Sequence, residues 1–210
     1  MKRGKFIVIE GGDGSGKTTL LKSVGEVFPL KKFRLTREPG GTPLSEIIRG
    51  VMLSDEARRA SAETQFCLAW AARAHHLQNL VVPALESGVH VISDRFDSST
   101  FAFQVHGQEA PHLEGLFREI RRIYLGRYAP DMYIFLHVSP KVGMRRTAGR
   151  VGERNHFDRR KFEFHQKVTE GYLDFFKKIN PPHVIIDASK SLEEVKRNFH
   201  QALCNIIGRK

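Results

Sequence analysis

Gly11-Gly12-Asp13-Gly14-Ser15-Gly16-Lys17-Thr18 is the stretch whose reading decides the fold. It fits G-x-x-x-x-G-K-[ST], the pattern of a phosphate-binding loop. The flanks fit as well. Phe6-Ile7-Val8-Ile9 ahead of it is the short apolar run of a buried strand, and Thr19-Leu20-Leu21-Lys22-Ser23-Val24 behind it can start a helix. Glycines let the backbone fold so that successive N–H groups point inward at an anion. The start of the helix adds partial positive charge. Lys17 can reach β- and γ-phosphates, and the Thr18 hydroxyl can join Mg²⁺. Gly11 to Thr19 is therefore the candidate site for a nucleoside triphosphate. A glycine-rich turn that binds nothing is the alternative.

Outward from the loop, strands alternate with helices. Strands are expected at about 5–10, 33–36, 89–93, 131–138 and 183–187. The first helix is expected to run to about Val27. Pro43 suits a first helical turn, and Leu44, Ile47, Ile48 and Val51 then repeat at helical spacing. A long helix is expected at about 60–86, bent near Pro83. Phe66, Ala69, Trp70, Arg73, Leu77 and Leu80 share one of its faces. An arginine on such a face is costly unless it meets an anion or an acid. Three more helices follow from Leu113, Leu116, Phe117, Ile120 and Tyr124, from about 161–178, and from Leu192, Val195, Phe199, Leu203 and Ile206. The fold class is α/β: a five-stranded parallel sheet flanked by helices, in the three-layer arrangement of P-loop NTPases. We expect residues 1–210 to form one domain.

Ligands in such folds sit beyond the carboxyl ends of the strands. The phosphate loop, Arg37-Glu38 and Asp94-Arg95 all fall there, so three separate charged turns are expected to converge. Asp94 closes an apolar strand, like an acid that helps hold Mg²⁺, with a capping or surface role as the alternative. Arg37 and Arg95 offer planar forks for a phosphate, against structural ion pairs. Residues 145–160 are basic and poor in apolar groups, which suggests a mobile lid. Its arginines Arg145, Arg146, Arg150, Arg154, Arg159 and Arg160 are mostly solvated, and one or two could close over a donor phosphate.

The formal net charge of +11 suits polyanionic partners, and nucleotides and nucleic acids both qualify. A nucleic-acid module is not evident, so no nucleic-acid partner is expected. No segment is apolar for long enough to span a bilayer, so no membrane partner is expected either. Cys67 and Cys204 are far apart and imply no disulfide framework, which fits a reducing, cytoplasmic setting. The histidines form no metal pattern, and His75 and His76 read as structural or surface residues.

The chain resembles the bacterial thymidylate kinases over most of its length. The matching pieces are Glu10 to Thr19, then Thr36-Arg37-Glu38-Pro39-Gly40-Gly41-Thr42, then Ala71-Ala72-Arg73-Ala74. Asp94-Arg95-Phe96-Asp97-Ser98-Ser99 follows, and finally Phe164-His165 through Gly171-Tyr172-Leu173. The resemblance implies Mg²⁺-dependent phosphoryl transfer from ATP to dTMP and a homodimer, with kinases for other pyrimidine monophosphates and nucleic-acid-binding ATPases as alternatives. It implies that Asp13 lies near the acceptor phosphate, that Arg37 and Arg95 bind that phosphate, and that Glu38 with Pro39 shapes the acceptor site. Arg49 and Leu53 line the nucleoside pocket and Arg73 bonds the base. Ser99, Thr100 and Gln104 wall the thymine, and Phe103 lies against the deoxyribose. Some relatives carry an arginine inside the loop where this chain has Gly14, so the donor contact is assigned to Arg150 and Arg154, with Arg159 behind them. The family's base-stacking phenylalanine is replaced by Ala69, which leaves Phe66 or Trp70 to cover the base.

Overall fold

The computed structural model describes residues 2–148, 156–157 and 159–208. Its sheet has five parallel strands, β1 (Phe6–Gly11), β2 (Phe33–Arg37), β3 (His90–Asp94), β4 (Met132–His137) and β5 (His183–Asp187), in the order β2-β3-β1-β4-β5. The apolar run Phe6-Ile7-Val8-Ile9 sits in the middle of the sheet and is fully buried. Its side chains alternate between two cores, as strand geometry requires. Phe6 and Val8 join one core with Phe66, Trp70, Phe117 and Phe175. Ile7 and Ile9 join the other with Leu20, Val24, Phe199 and Leu203. A strand apolar on both faces needs helices on both sides, and the three-layer arrangement follows.

The helices are α1 (Lys17–Lys22), α2 (Pro43–Leu53), α3 (Ala62–His76), α4 (Val82–Glu86), α5 (Asp97–Thr100), α6 (Leu113–Leu125), α7 (Pro140–Thr147), α8 (Phe162–Lys178) and α9 (Leu192–Ile207). Pro43 opens α2 as expected. Ser61 caps α3, its hydroxyl accepting from Thr64 N at 3.2 Å. The long helix expected at 60–86 is three pieces. Between α3 and α4 the backbone widens to π-type bonding over Leu77–Val81, which lies ahead of Pro83 and accommodates the N–H that proline lacks. The first helix stops at Lys22 and tightens to a 3₁₀ turn over Ser23–Glu26.

The basic stretch expected to be loop from 145 onward begins as helix. Arg145 and Arg146 lie in the last turn of α7, where cations suit the helix dipole. Backbone bonds carry the sheet pattern into the functional loops. Arg95 N donates to Ile9 O at 2.9 Å, and Glu38 N donates to Asp94 O at 2.9 Å. The turns after β1, β2 and β3 are thereby fixed against each other at one end of the sheet.

Candidate active site

The phosphate loop is assembled from backbone. Gly16 stands before α1 with φ 94°, a left-handed conformation that favours glycine. Gly14 has φ 73°, and a Cβ on it would lie 2.3 Å from Gly143 O of α7. A side chain at Gly14 therefore has no room, which is the physical reason the loop carries no arginine there. Lys17 is buried, and its Nζ donates to Gly11 O at 2.8 Å. Burial, together with the charge of Arg95, brings its pKa down from 10.5 to about 8. Thr18, in the first turn of α1, is exposed. Two polar atoms here have no hydrogen-bond partner among the described residues although buried: Ser15 Oγ and Asp94 Oδ1. Such orphans are costly unless a ligand completes them. A hard, oxygen-seeking cation with triphosphate oxygens fits that requirement.

Beside the loop opens a cavity lined by Asp13, Glu38, Pro39, Arg49, Leu53, Arg73, Arg95, Ser99, Thr100, Phe103 and Gln104. These are eleven of the fourteen residues expected to bind the acceptor. The cavity also takes in Met52, Ala69, Phe96 and Phe157, none of which the sequence reading placed there as a contact.

Arg73 meets the acid that its burial demands. Its Nε donates to Glu38 Oε2 at 2.8 Å with both side chains 3% exposed, and its Nη2 donates to Thr100 Oγ1 at 3.1 Å. The other Glu38 oxygen is held by His76 Nδ1 at 2.8 Å, whose Nε2 pairs with Thr36 Oγ1 at 2.8 Å. His76 is thus a buried orienter of Glu38. Arg73 Nη1 is buried without a partner among the described residues, a donor left for a ligand in the cavity. Arg49 is tied down by a bond from Nη1 to Pro39 O at 2.8 Å.

Phe66 and Trp70 do not line the cavity. Both are core, Phe66 fully buried and Trp70 packed on Phe117 at a centroid distance of 5.7 Å. Permanent burial of a large ring is worth about 1.5–3 kcal/mol. Stacking on a base, about 1–3 kcal/mol, acts only while ligand is bound. Trp70 instead supports Arg73, whose guanidinium carbon sits 4.5 Å from its ring centroid and 5.1 Å from that of Phe96. A ring that lines the cavity together with the small Ala69 is Phe157, edge-on to Phe103 at 5.5 Å. His156 anchors it, with Nε2 at 2.8 Å from Met52 O.

Arg37 also stands outside the cavity wall. It is exposed and paired with Glu46 at 3.0 Å. Arg159 is exposed and lies 3.7 Å from Asp55. Arg146 donates to Ala188 O at 2.7 Å and to Gly14 O at 3.3 Å, so it braces the phosphate loop against the turn after β5. Arg150 and Arg154 lie outside the described residues.

Loop and cavity meet at one pair. Arg95 Nη2 donates to Asp13 Oδ1 at 3.3 Å, and both residues line the cavity. Arg95 adopts φ 71°, rare for a residue with a side chain. Its carbonyl accepts from Ser93 Oγ at 2.7 Å, and the next amide, Phe96 N, donates to Glu10 Oε1 at 2.9 Å. Burial pushes the Glu10 carboxyl pKa upward. The surroundings therefore hold Arg95 in a conformation it would not choose alone.

A family model described as thymidylate kinase matches residues 9–199. A thymidylate kinase of Nitrosospira multiformis is 40% identical over 207 residues, covering 97% of this chain and 98% of the relative. One of Hahella chejuensis is 36% identical over 205 residues, covering 97% of each. Among solved structures, thymidylate kinase from Ehrlichia chaffeensis superposes with a TM-score of 0.74 at 26% identity, over 96% of this chain and 98% of that one.

Proposed function

The chain belongs to the thymidylate kinase family, and from that premise we propose that its two adjoining sites carry out ATP-dependent phosphorylation of dTMP to dTDP. The observation that carries this reading is the Asp13–Arg95 pair, which belongs at once to the donor loop and to the acceptor wall. A phosphoryl group moving between the sites passes that pair.

Phosphoryl transfer asks the protein for alignment and positive charge more than for covalent help. Gly11 to Thr19 cradle the ATP phosphates, and Lys17 neutralises their charge. Thr18 and Asp94 would hold Mg²⁺, which screens phosphate charge when bound. Arg95 takes the acceptor phosphate, with Arg37 swinging from Glu46 to join it. Arg73, Thr100, Ser99 and Gln104 read the base edge, Phe103 flanks the sugar, and Phe157 covers the face that Ala69 leaves open. Arg150 and Arg154 contact the donor phosphates from the segment at about 145–160, as a lid on one domain of residues 1–210. The reaction belongs in the cytoplasm, where ATP is supplied.

The same proposal includes a homodimer. Its support is the apolar surface left uncovered on α2, where Leu44, Ile47 and Val51 are 47%, 66% and 50% exposed, and on α6, where Ile123 is 61% exposed. Sedimentation of Ile47→Glu should give monomer where the unaltered protein gives dimer.

An ADP-release assay with a panel of nucleoside monophosphates tests the reaction. Turnover is expected with dTMP and more weakly with dUMP. Hydrolysis stimulated by nucleic acid, with no monophosphate consumed, would overturn it.

A further inference from the structure

The fully buried hydroxyl of Tyr172 lies directly behind Arg95. Arg95 Nη1 donates to it at 2.8 Å. The same hydroxyl is 2.8 Å from Ser99 Oγ, which is 2.9 Å from Glu10 Oε2. The inventory of donors fixes the direction of this chain. Arginine can only donate, so the tyrosine oxygen accepts. Glu10 accepts from Phe96 N and Ser98 Oγ on one oxygen and from Ser99 Oγ on the other, so Ser99 spends its single hydrogen there. Tyr172 must then donate to Ser99. Hydrogen bonds run one way from guanidinium to hydroxyl to hydroxyl to carboxylate, and bonds aligned in series strengthen one another.

The fold brings the chain together with care. Tyr172 rides on α8, and its neighbour Gly171 faces the segment after α5, where a Cβ would lie 2.9 Å from Ala102 Cα. That close approach lets α8 reach Ser99. Glu10 Oε1 meanwhile accepts from Ser98 Oγ at 2.7 Å and from Phe96 N at 2.9 Å, so one carboxylate fixes both the strained turn and the far end of the chain.

We infer that Tyr172 is a positioning residue for phosphoryl transfer, aiming the Arg95 guanidinium through a hydrogen-bond chain anchored on Glu10. The inference rests on the kinase reading above. Its consequence is that α8, the helix following the lid segment, contributes to the rate through Arg95 without touching substrate.

A double-mutant cycle tests it. Tyr172→Phe keeps the ring and removes only the hydroxyl. It should lower kcat for dTMP phosphorylation about tenfold and leave KM for ATP within about twofold. In an Arg95→Lys background, whose ammonium cannot reproduce the fork, the same change should have no further effect. Glu10→Gln should also lower kcat, because an amide nitrogen facing Ser99 reverses the chain and strands the tyrosine proton. Should that buried variant not fold, the Tyr172→Phe cycle decides alone. A Tyr172→Phe enzyme with a lower melting temperature but unchanged kcat, or a double mutant a full tenfold below Arg95→Lys, would overturn the inference. Failure of the unaltered protein to phosphorylate dTMP would instead overturn the kinase reading, so the two failures are distinct.

Discussion

The acceptor cavity and the phosphate loop share a border at Asp13 and Arg95, yet they are made of different material. The cavity is built from side chains that are already held: Glu38 by Arg73 and His76, Arg49 by the Pro39 carbonyl, Ser99 by Glu10. The loop is built from backbone, and its side chains are left wanting. Ser15 Oγ, and Asp94 Oδ1 beside the loop at the end of β3, have no partner among the described residues, where the cavity leaves the single donor Arg73 Nη1, and the Lys17 ammonium sits buried against carbonyls. One side is preorganised for a rigid, planar base. The other waits for charge to complete it. Selectivity should therefore reside in the cavity and catalytic power in the loop.

The largest effect should break the loop alone. Lys17→Ala should lower kcat/KM by about 10³-fold, while circular dichroism remains that of the folded protein and dTMP affinity is kept. Near-normal turnover would remove the contrast altogether. On the other side, Arg73→Ala strips Glu38 of a buried partner. Unfolding free energy by chemical denaturation should fall by about 3–5 kcal/mol, and KM for dTMP should rise. A variant as stable as the parent would show that the cavity is not held by its ion pairs. Phe157→Ala should raise KM for dTMP about tenfold and leave KM for ATP unchanged, in line with stacking worth about 1–3 kcal/mol.

The smallest expected effect is the one with opposite signs. Lys17 has a pKa near 8 against 10.5 in the open chain. As pH rises from 7 to 8, kcat/KM for ATP should fall about twofold as the ammonium is lost from the free enzyme. From about pH 8 to 10.5 the unfolded chain binds the extra proton, so this group makes stability rise with pH while activity declines. Parallel pH profiles of activity and denaturation check this. Activity and stability falling together would assign the charge elsewhere.

The loop was the more legible half in the sequence, because a backbone site leaves its mark as glycines at fixed spacing. The sheet was legible for a similar reason, since the central strands β1, β3 and β4 are short apolar runs, and β1 and β3 end at charged turns. The cavity was readable only as far as arginines and acids announce themselves. Phe66, Ala69 and Trp70 lie one helical turn apart or less, and spacing cannot say which of them faces space and which faces core. Arg37 follows Thr36 in a strand, and alternation turns it from the side where Thr36 meets His76 toward Glu46. Phe157 enters from a segment distant in sequence, and nothing local marks it. The helical character of Arg145 and Arg146 was hidden because α7 is short and has little apolar face.

The contact between Gly14 and Gly143 has an evolutionary consequence. Each would place a new Cβ 2.3 Å from backbone of the other's segment, Gly14 against Gly143 O and Gly143 against Asp13 O. Neither position can diversify while the other segment stays put. Lineages descended from this chain could not place an arginine at position 14 by a single replacement. They would have to displace α7 first, so this pair of glycines is an inherited commitment and not a readily reversible choice.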